Sequence, residues 1–245
     1  MIGIFDSGLG GLTVVREIKK KHANASFIYL GDTARVPYGT RSPETIRKFA
    51  EEDTQFLIDK NVDLIVVACN TVSSLALDVV KRHSSVPVYG VIEPAMQKAI
   101  EVSENKKIGL VGTRATINSD AYKSVTLRSH ASMLVPLIEE GFIKGKEIDL
   151  FISKYFAGFV DSVDTLILGC THYPIIKKEI NKYLQNKINL IDPAVEVVSQ
   201  ISTFIPYEPE TVEKYYLTDV NARFLETAKM FLGEDITNKT EKITL

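Results

Sequence analysis

Two largely apolar segments, each ending in a cysteine, constrain the fold of this chain most strongly. Residues 62–68 precede Cys69 and residues 163–169 precede Cys170, and the sequence contains two cysteines in all. Such runs are typical of parallel strands buried on both faces, and in open α/β sheets ligands gather beyond the carboxyl ends of these strands. The pattern predicts two matched thiols at two strand ends, acting as opposed acid/base groups around one small substrate.

Other segments repeat at a similar spacing, which indicates an internal duplication. The apolar run before Asp6 resembles residues 108–111, and the run before Glu93-Pro94 resembles the one before Asp192-Pro193. Strand and helix patterns alternate through the chain, which predicts an α/β fold of two pseudo-symmetric, doubly wound domains with mostly parallel sheets. We expect strands near Ile2, Phe27, Leu64, Val88, Ile108, Met133, Leu166 and Ile188.

The tail has no counterpart at the end of the first half. It contains Pro206 and Pro209, a short apolar run at residues 215–217, and an amphipathic helical pattern that ends before Gly233. We expect it to pack back onto the first domain. The predicted division is therefore 1–92 with 205–245 as a discontinuous first domain and 93–204 as the second, with the active site in the cleft between them.

Charge and composition point to a small-molecule partner. The chain has 29 Lys and Arg against 31 Asp and Glu, so no net basic field favours nucleic acid or an anionic membrane. Its apolar runs are far shorter than the ~20 residues that span a bilayer, and a strand pattern begins at once, without a secretory leader. We expect a cytoplasmic protein with free thiols. Disulfides are rare in that reducing compartment, and two cysteines are too few ligands to form a zinc site alone.

Each cysteine has a candidate partner for proton transfer. His172 lies two positions after Cys170, and Asp6 ends a strand expected beside the Cys69 strand. A helix beginning after each cysteine would lower the thiol pKa from its usual value of ~8.5. The alternatives are a cysteine that is only a small buried hydrophobe, a histidine that caps a helix, and an aspartate that binds loop amides.

Two loops and a turn are candidates for substrate binding. Residues 31–40 are rich in turn formers, and residues 135–141 are their counterpart, where Glu139 could contact a substrate ammonium or the His172 ring or could be a solvated surface carboxylate. The glycine-rich turn at residues 6–11 could receive a carboxylate or phosphate on its backbone amides. It lacks the spacing of a dinucleotide or P-loop motif.

Together these motifs resemble the glutamate racemases, the cofactor-independent enzymes of the aspartate/glutamate racemase superfamily, over essentially the whole chain. Any one motif is weak, whereas their order is very specific. The motifs are Asp6-Ser7-Gly8 with Gly10-Gly11, Gly31-Asp32 through Val36-Pro37-Tyr38-Gly39, Ala68-Cys69-Asn70-Thr71, Gly90-Val91-Ile92-Glu93-Pro94, Gly112-Thr113 with Ala115-Thr116, Val135-Pro136-Leu137 with Glu139, and Gly169-Cys170-Thr171-His172-Tyr173-Pro174.

The resemblance implies a two-base mechanism without cofactor or metal. Cys69, assisted by Asp6, would deprotonate D-glutamate, and Cys170, assisted by His172, would deprotonate L-glutamate from the opposite face. Glu139 matches a carboxylate near the second thiol. The resemblance further implies a cytoplasmic homodimer that supplies D-glutamate for peptidoglycan. Positions matching those that bind the substrate are Ser7, Tyr38, Gly39, Asn70, Thr71, Thr113, Thr116 and Thr171.

Three other readings remain open at this point. An aspartate racemase of the same superfamily would differ mainly in the length of its substrate. A cysteine hydrolase could use Cys170, His172 and Glu139 through a covalent intermediate, which would leave Cys69 unexplained. A nucleotide binder built on the turn after Asp6, or a binding module without catalysis, would need neither cysteine.

Overall fold

The structure is a computed structural model that describes residues 1–205 and 210–245. The strands within these residues are β1 (Ile2–Asp6), β2 (Phe27–Gly31), β3 (Leu64–Val67), β4 (Val88–Gly90), β5 (Ile108–Gly112), β6 (Leu127–His130), β7 (Thr165–Gly169), β8 (Asn189–Ile191), β9 (Glu213–Leu217) and β10 (Thr240–Lys242). The α-helices are α1 (Leu12–Lys21), α2 (Pro43–Asp59), α3 (Asn70–Leu75), α4 (Leu77–His83), α5 (Ile92–Val102), α6 (Arg114–Asn118), α7 (Leu134–Glu139), α8 (Lys146–Phe156), α9 (Lys177–Tyr183), α10 (Pro193–Ile201) and α11 (Ala222–Leu232).

In the described part of the chain the strands form two sheets. The first sheet has the order β10-β9-β2-β1-β3-β4 and the second has the order β6-β5-β7-β8. Neighbouring strands are parallel throughout. Strands β1, β2, β3, β5 and β7 are buried along their whole length, which explains their nearly continuous apolar sequences. The predicted fold of two doubly wound parallel α/β halves is confirmed.

The helices begin and end at residues whose side chains favour those positions. At the start of α2, Pro43 occupies the first turn and the Ser42 hydroxyl accepts a hydrogen bond from the Thr45 N–H at 3.3 Å. Helix α11 ends at Gly233, whose φ of 81° is a left-handed conformation that glycine adopts without strain. Across residues 1–205 and 210–245, each helix is too short or too polar to cross a membrane.

The strand predicted near Met133 is wrong. The strand is β6, which ends at His130, and Met133 instead caps the start of α7. Strand β6 lies at the edge of its sheet and is half-buried to exposed, so it needs no apolar run and gave no hydrophobic signal. The apolar run that follows it contains Pro136 in a first helical turn and forms a helix. The loop expected at residues 135–141 is therefore mostly α7.

The tail completes the first sheet. Strand β9 pairs with β2 and β10 pairs with β9, while α11 connects the two tail strands. The tail strand and helix expected from the sequence are thus present, and Pro206 and Pro209 lie outside the described residues. The boundaries after residues 92 and 204 stay a prediction.

One of three hydrophobic clusters among the described residues connects the two sheets. A single cluster of buried side chains extends from α1 and β3 through β7 to α10 and α11, and it includes Val14, Ala68, Leu168, Val197 and Phe231. Helix α1, which follows β1, packs against both α10 and α11. The carboxyl ends of the two sheets are therefore held against each other by the core.

A buried polar cluster anchors residues 31–40. The Tyr38 hydroxyl donates to Asp32 and, at 3.2 Å, to Asp53 on α2, and the Arg35 guanidinium pairs with both carboxylates. The Thr218 hydroxyl, just after β9, donates to Asp32 at 2.8 Å. Burial raises the pKa of Asp53 well above its usual value, and the negative charge of Asp32 adds to that rise. The cluster ties the segment after β2 to α2 and to the tail.

Replacing Tyr38 tests how much this cluster stabilises the fold. We expect Tyr38→Phe to lower the free energy of unfolding by about 1–3 kcal/mol, because two buried carboxylates lose a hydrogen-bond donor. Tyr183→Phe is the matched control, since the Tyr183 hydroxyl makes one long bond of 3.5 Å to a carbonyl; it should change stability by less than about 0.5 kcal/mol. Urea unfolding measures both, and equal stabilities would contradict the prediction.

Candidate active site

The first candidate thiol lies at the carboxyl end of the first sheet. Cys69 follows β3 and caps the start of α3, and Asp6 ends the neighbouring strand β1. The Cys69 sulfur lies 3.5 Å from the Ser7 hydroxyl. Burial raises the pKa of the Cys69 thiol to about 12, with the negative charge of Asp6 adding to the effect. In this arrangement Cys69 is a protonated thiol at neutral pH.

The expected lowering of the Cys69 pKa by a helix N-terminus does not hold, and the α-helix expected directly after Cys170 begins only later. Helix α3 does begin after Cys69, but its backbone N–H groups lower the pKa less than burial and Asp6 raise it. After Cys170 no α-helix begins at once, because a 3₁₀ turn with Pro174 spans Tyr173–Ile176 and α9 starts only at Lys177. Burial therefore outweighs the helix dipole at the first thiol, and the second has no adjacent α-helix.

The two oxygens of the buried Asp6 carboxylate have different surroundings. Its Oδ2 accepts a hydrogen bond from the Gly8 N–H at 3.1 Å, whereas its Oδ1 is buried and has no hydrogen-bond partner among the described residues. Burial raises the pKa of Asp6, and the positive charge of His172 acts against that rise. The Asp6 carboxyl is thus electrostatically coupled to Cys69 on one side and to His172 on the other. An unpaired buried carboxylate oxygen is suited to a cationic group.

The second candidate thiol, Cys170, lies next to His172, which in turn contacts Glu139. The Cys170 sulfur lies 3.9 Å from His172 Nδ1, and His172 Nε2 lies 2.8 Å from Glu139 Oε1 at the end of α7. Burial alone would lower the pKa of His172, but hydrogen bonds to Cys170 and Glu139, with their negative charges, outweigh it and raise the pKa to about 10. His172 is therefore an imidazolium at neutral pH, next to the second thiol.

Close backbone packing brings the two strand ends together. An ideal Cβ built on Gly10 would lie 2.1 Å from Thr171 Oγ1 and 2.5 Å from His172 Nδ1, so a side chain there has no room. Three residues along, the Thr13 hydroxyl donates to the Thr171 carbonyl at 3.2 Å. The start of α1 thus lies directly on the segment that follows Cys170.

Hydroxyl and amide groups connect the two halves elsewhere. Thr71 Oγ1 lies 3.1 Å from Thr113 Oγ1, which lies 3.0 Å from Thr116 Oγ1. The Tyr122 hydroxyl donates to Asn70 Oδ1 at 2.6 Å. These contacts form a polar surface at the junction, contributed by strand ends of both sheets.

A narrow space beside Cys170 is shared by both halves. Its lining includes Asn70 from the first half and Cys170 and Thr171 from the second, whereas Cys69 is not among the lining residues.

Most of the predicted binding residues lie at this junction. Ser7, Asn70, Thr71, Thr113, Thr116 and Thr171 line the strand ends through the contacts above, and a Cβ on Gly39 would lie 3.0 Å from Thr113 Cβ. Tyr38 differs, because its hydroxyl is bonded to Asp32 and Asp53 in the buried cluster. Any contact of Tyr38 with a ligand would fall to its backbone.

Tyr122 and Thr13 lie outside the candidate site motifs of the sequence, whereas Arg35 lies within the candidate loop at residues 31–40 without having been given a role. Tyr122 and Thr13 make cross-half hydrogen bonds, and Arg35 holds the buried cluster beneath residues 31–40. Tyr122 lies in a polar segment, 52 positions from its hydrogen-bond partner Asn70. No sequence pattern predicts that these two residues pair. Arg35 does carry a signal, since a charged residue amid turn formers after a buried strand is a typical position for a functional loop.

Both cysteines are free thiols. Among the residues that the structure describes, no three His, Cys, Asp or Glu side chains are arranged to hold a metal ion. The site consists of two thiols, one from each of two duplicated α/β halves, and each thiol has an ionisable neighbour. Two thiols with ionisable neighbours are groups of the kind that can give and take protons in general acid and base chemistry.

Comparison with known proteins shows the family of the chain. The family model for Asp/Glu/Hydantoin racemase matches residues 10–201. A glutamate racemase of Aquifex aeolicus (strain VF5) is 44% identical, with 97% of this chain and 96% of the relative covered. The crystal structure of glutamate racemase from Francisella tularensis in complex with D-glutamate superposes with a TM-score of 0.91 at 36% identity, covering 99% of this chain and 97% of that one. The glutamate racemase structure from Aquifex pyrophilus has a TM-score of 0.82 at 42% identity, covering 96% and 95%. The chain belongs to the Asp/Glu/hydantoin racemase family, which confirms the family resemblance of the motifs.

The charge of His172 gives a prediction for its titration. Because the folded pKa of about 10 lies above the usual ~6.5, protonated His172 stabilises the fold fully below pH ~6.5, and this contribution disappears as the pH rises towards 10. We expect Glu139→Gln to lower the pKa of His172. The variant lacks the negative charge of Glu139 that raises this pKa, while the burial that lowers it remains. Glu140→Gln is the control, because Glu140 pairs with Arg223 instead.

Nitrogen-15 NMR of the histidine side chains against pH measures these values. We expect a midpoint near 10 for His172 in the parent and in Glu140→Gln, and a lower one in Glu139→Gln. A parent midpoint near that of free imidazole, or an unchanged midpoint in Glu139→Gln, would contradict the account.

Proposed function

We propose that the chain interconverts L-glutamate and D-glutamate by a two-base mechanism without a cofactor, and so supplies D-glutamate for peptidoglycan. The observation that carries this proposal is the pair of thiols at matched strand ends, each beside its own ionisable partner at one junction. The similarity to glutamate racemases over nearly the whole chain supports glutamate as the substrate.

The two thiols have different neighbouring charges. Burial and Asp6 keep Cys69 protonated. On the other side, the positive charge of the His172 imidazolium next to Cys170 would stabilise the thiolate that forms when Cys170 acts as a base. With L-glutamate bound, Cys170 would take the α-proton as the C–H bond breaks, and Cys69 would donate its proton to form a C–H bond on the opposite face. The thiolate is then on Cys69, ready to act on D-glutamate in the reverse reaction.

Asp6 links substrate binding to the charge of Cys69. Its unpaired Oδ1 would accept a hydrogen bond from the substrate ammonium. That cation would offset the negative charge that raises the pKa of Cys69. The thiolate of Cys69 would therefore become easier to form once an amino acid is bound, as deprotonation of D-glutamate requires.

The remaining polar groups of the junction would stabilise the transition state. An α-proton is so weakly acidic that a thiolate can remove it only where donors stabilise the developing carbanion and water is excluded. The groups proposed to bind the substrate carboxylates and ammonium are the side chains of Ser7, Asn70, Thr71, Thr113, Thr116 and Thr171, and the backbone at Tyr38 and Gly39.

We place the reaction in the cytoplasm and assign the chain a homodimer, as the family resemblance implies. The balance of 29 basic and 31 acidic residues supports a small-molecule partner rather than nucleic acid or a membrane surface. We keep the division into a discontinuous first domain (1–92 and 205–245) and a second domain (93–204), with substrate bound between them.

A second candidate function has one observation in its favour. Cys170, His172 and Glu139 stand in a row at 3.9 Å and 2.8 Å, an order also used by cysteine hydrolases, in which the thiolate forms a covalent intermediate. That function gives no role to Cys69, which has its own buried ionisable neighbour. Racemisation uses both thiols and is the better explanation.

Incubation in deuterated water separates these functions. We expect L-glutamate, without added pyridoxal phosphate, metal or nucleotide, to yield D-glutamate that carries deuterium at the α-carbon. Cys69→Ser and Cys170→Ser should each slow racemisation by about 100- to 10,000-fold, the usual contribution of a general acid or base. Chiral chromatography with mass spectrometry follows the products, and circular dichroism confirms that each variant folds.

Parallel incubations define the outcomes that would reject the proposal. A parent-like rate in either cysteine variant would reject the two-base role. Racemisation of L-aspartate but not of L-glutamate would assign the other substrate of the superfamily. A parent that forms no D-glutamate and introduces no deuterium at the α-carbon would reject the racemase and leave the hydrolase as the remaining candidate.

A further inference from the structure

Helix α11 contacts the partners of the second thiol although it belongs to the tail. It connects β9 and β10 of the first sheet. The ring of Phe231 packs edge-on against the His172 imidazole, with centroids 5.4 Å apart and an interplanar angle of 86°. The Thr227 hydroxyl, one turn earlier, donates to the backbone carbonyl of Glu139 at 3.3 Å. One helix therefore touches both members of the His172–Glu139 pair.

The helix is itself held in place on both sides of these contacts. Phe231 is fully buried, and its carbonyl accepts a hydrogen bond from Arg16 of α1 at 3.4 Å. Near the start of α11, Arg223 forms an ion pair with Glu140, the residue that follows α7. Helix α11 is thus fixed to α1 in the first half and to the end of α7 in the second.

The His172 ring needs such support. Its hydrogen bond to Glu139 constrains one nitrogen, but the 3.9 Å separation from Cys170 is at the long end for a contact involving sulfur, so a small rotation would remove it. An edge-on aromatic contact restricts rotation of the ring and keeps water away from it. At Cys69 the neighbouring groups are Asp6, the last residue of β1, and Ser7, which follows it.

We propose that Phe231 and Thr227 are positioning residues for the second thiol, in that Phe231 sets the orientation of the His172 ring and Thr227 holds the end of α7 that carries Glu139. This inference rests on the proposed racemase function. Neither side chain touches the reacting atoms. The tail of the chain, through α11, aligns the Cys170 half of the mechanism directly, whereas the Cys69 half has no side-chain contact with Phe231 or Thr227 among those described above.

The proposal predicts an asymmetric kinetic defect. A displaced His172 ring raises the barrier for proton transfer at Cys170 more than at Cys69, because His172 is next to Cys170 and acts on Cys69 only through Asp6. The equilibrium between enantiomers is fixed, so kcat/KM must fall equally in both directions, and the asymmetry is visible in primary isotope effects instead. With α-deuterated L-glutamate, Cys170 breaks the labelled bond in the step that has become limiting. With α-deuterated D-glutamate, Cys69 breaks it in a step that no longer limits.

Phe231→Leu is the test, and Phe224→Leu is its matched control. Phe224 lies on the same helix and packs against the same core, partly buried. We expect Phe231→Leu to lower kcat/KM by about tenfold to a hundredfold, the cost of misplacing a group in a catalytic site. Its isotope effect should rise for α-deuterated L-glutamate and fall for α-deuterated D-glutamate. Phe224→Leu should match the parent in both isotope effects.

Thr227→Val is a second variant that keeps the side-chain volume while removing the hydroxyl. Its isotope effect should rise for α-deuterated L-glutamate and fall for α-deuterated D-glutamate, as in Phe231→Leu but by smaller amounts. It serves as the test if circular dichroism shows that Phe231→Leu does not fold. Parent-like isotope effects in the folded variant, or equal changes for both enantiomers, would overturn the proposal while the parent still racemises glutamate. A parent that does not racemise would instead reject the proposed function, and this inference with it.

Discussion

The site depends on the direct contact between the start of α1 and the segment after Cys170. Gly10 leaves no space for a side chain there, since a Cβ would lie 2.1 Å from Thr171 Oγ1. In α/β sheets, functional groups lie at the carboxyl ends of the buried parallel strands. In this chain each sheet contributes a single thiol at that edge. Two ends must meet for two thiols to serve one substrate. The bare backbone at Gly10 and the shared core allow that meeting.

Burial then determines the charges at the junction. A buried ionisable group either loses its charge or gains a partner, because removal from water costs several kcal/mol per ion. Cys69 follows the first course, since burial raises its pKa to about 12. His172 follows the second, since Glu139 and Cys170 raise its pKa to about 10. Two halves of similar architecture therefore carry different charges next to their thiols, since Cys69 is neutral and His172 is a cation.

The sequence predicts the parts of the fold that burial controls. Strands β1, β3, β5 and β7 were predictable from apolar runs because both of their faces are covered. Edge strand β6 was missed because half-exposed positions carry no such signal. The tail strand and helix were predictable because α11 is amphipathic and ends at a glycine.

The sequence predicts which residues form the site better than it predicts their charges and pKa values. Both cysteines, Asp6 and His172 follow from their positions at strand ends. The raised pKa of Cys69 does not, because it depends on how completely the folded chain excludes water. The pairing of Tyr122 with Asn70 and the packing of Phe231 on His172 also escape prediction, since they join residues 52 and 59 positions apart. Long-range contacts of this kind are set by the assembled core and not by local pattern.

A crystal structure of the protein with D-glutamate bound tests the central claim most directly. The account predicts that the sulfur atoms of Cys69 and Cys170 lie on opposite faces of the α-carbon, each about 3–3.5 Å from it, as aligned reacting atoms require. A ligand whose α-carbon approaches one sulfur, with the other thiol turned away or separated by protein, would contradict it.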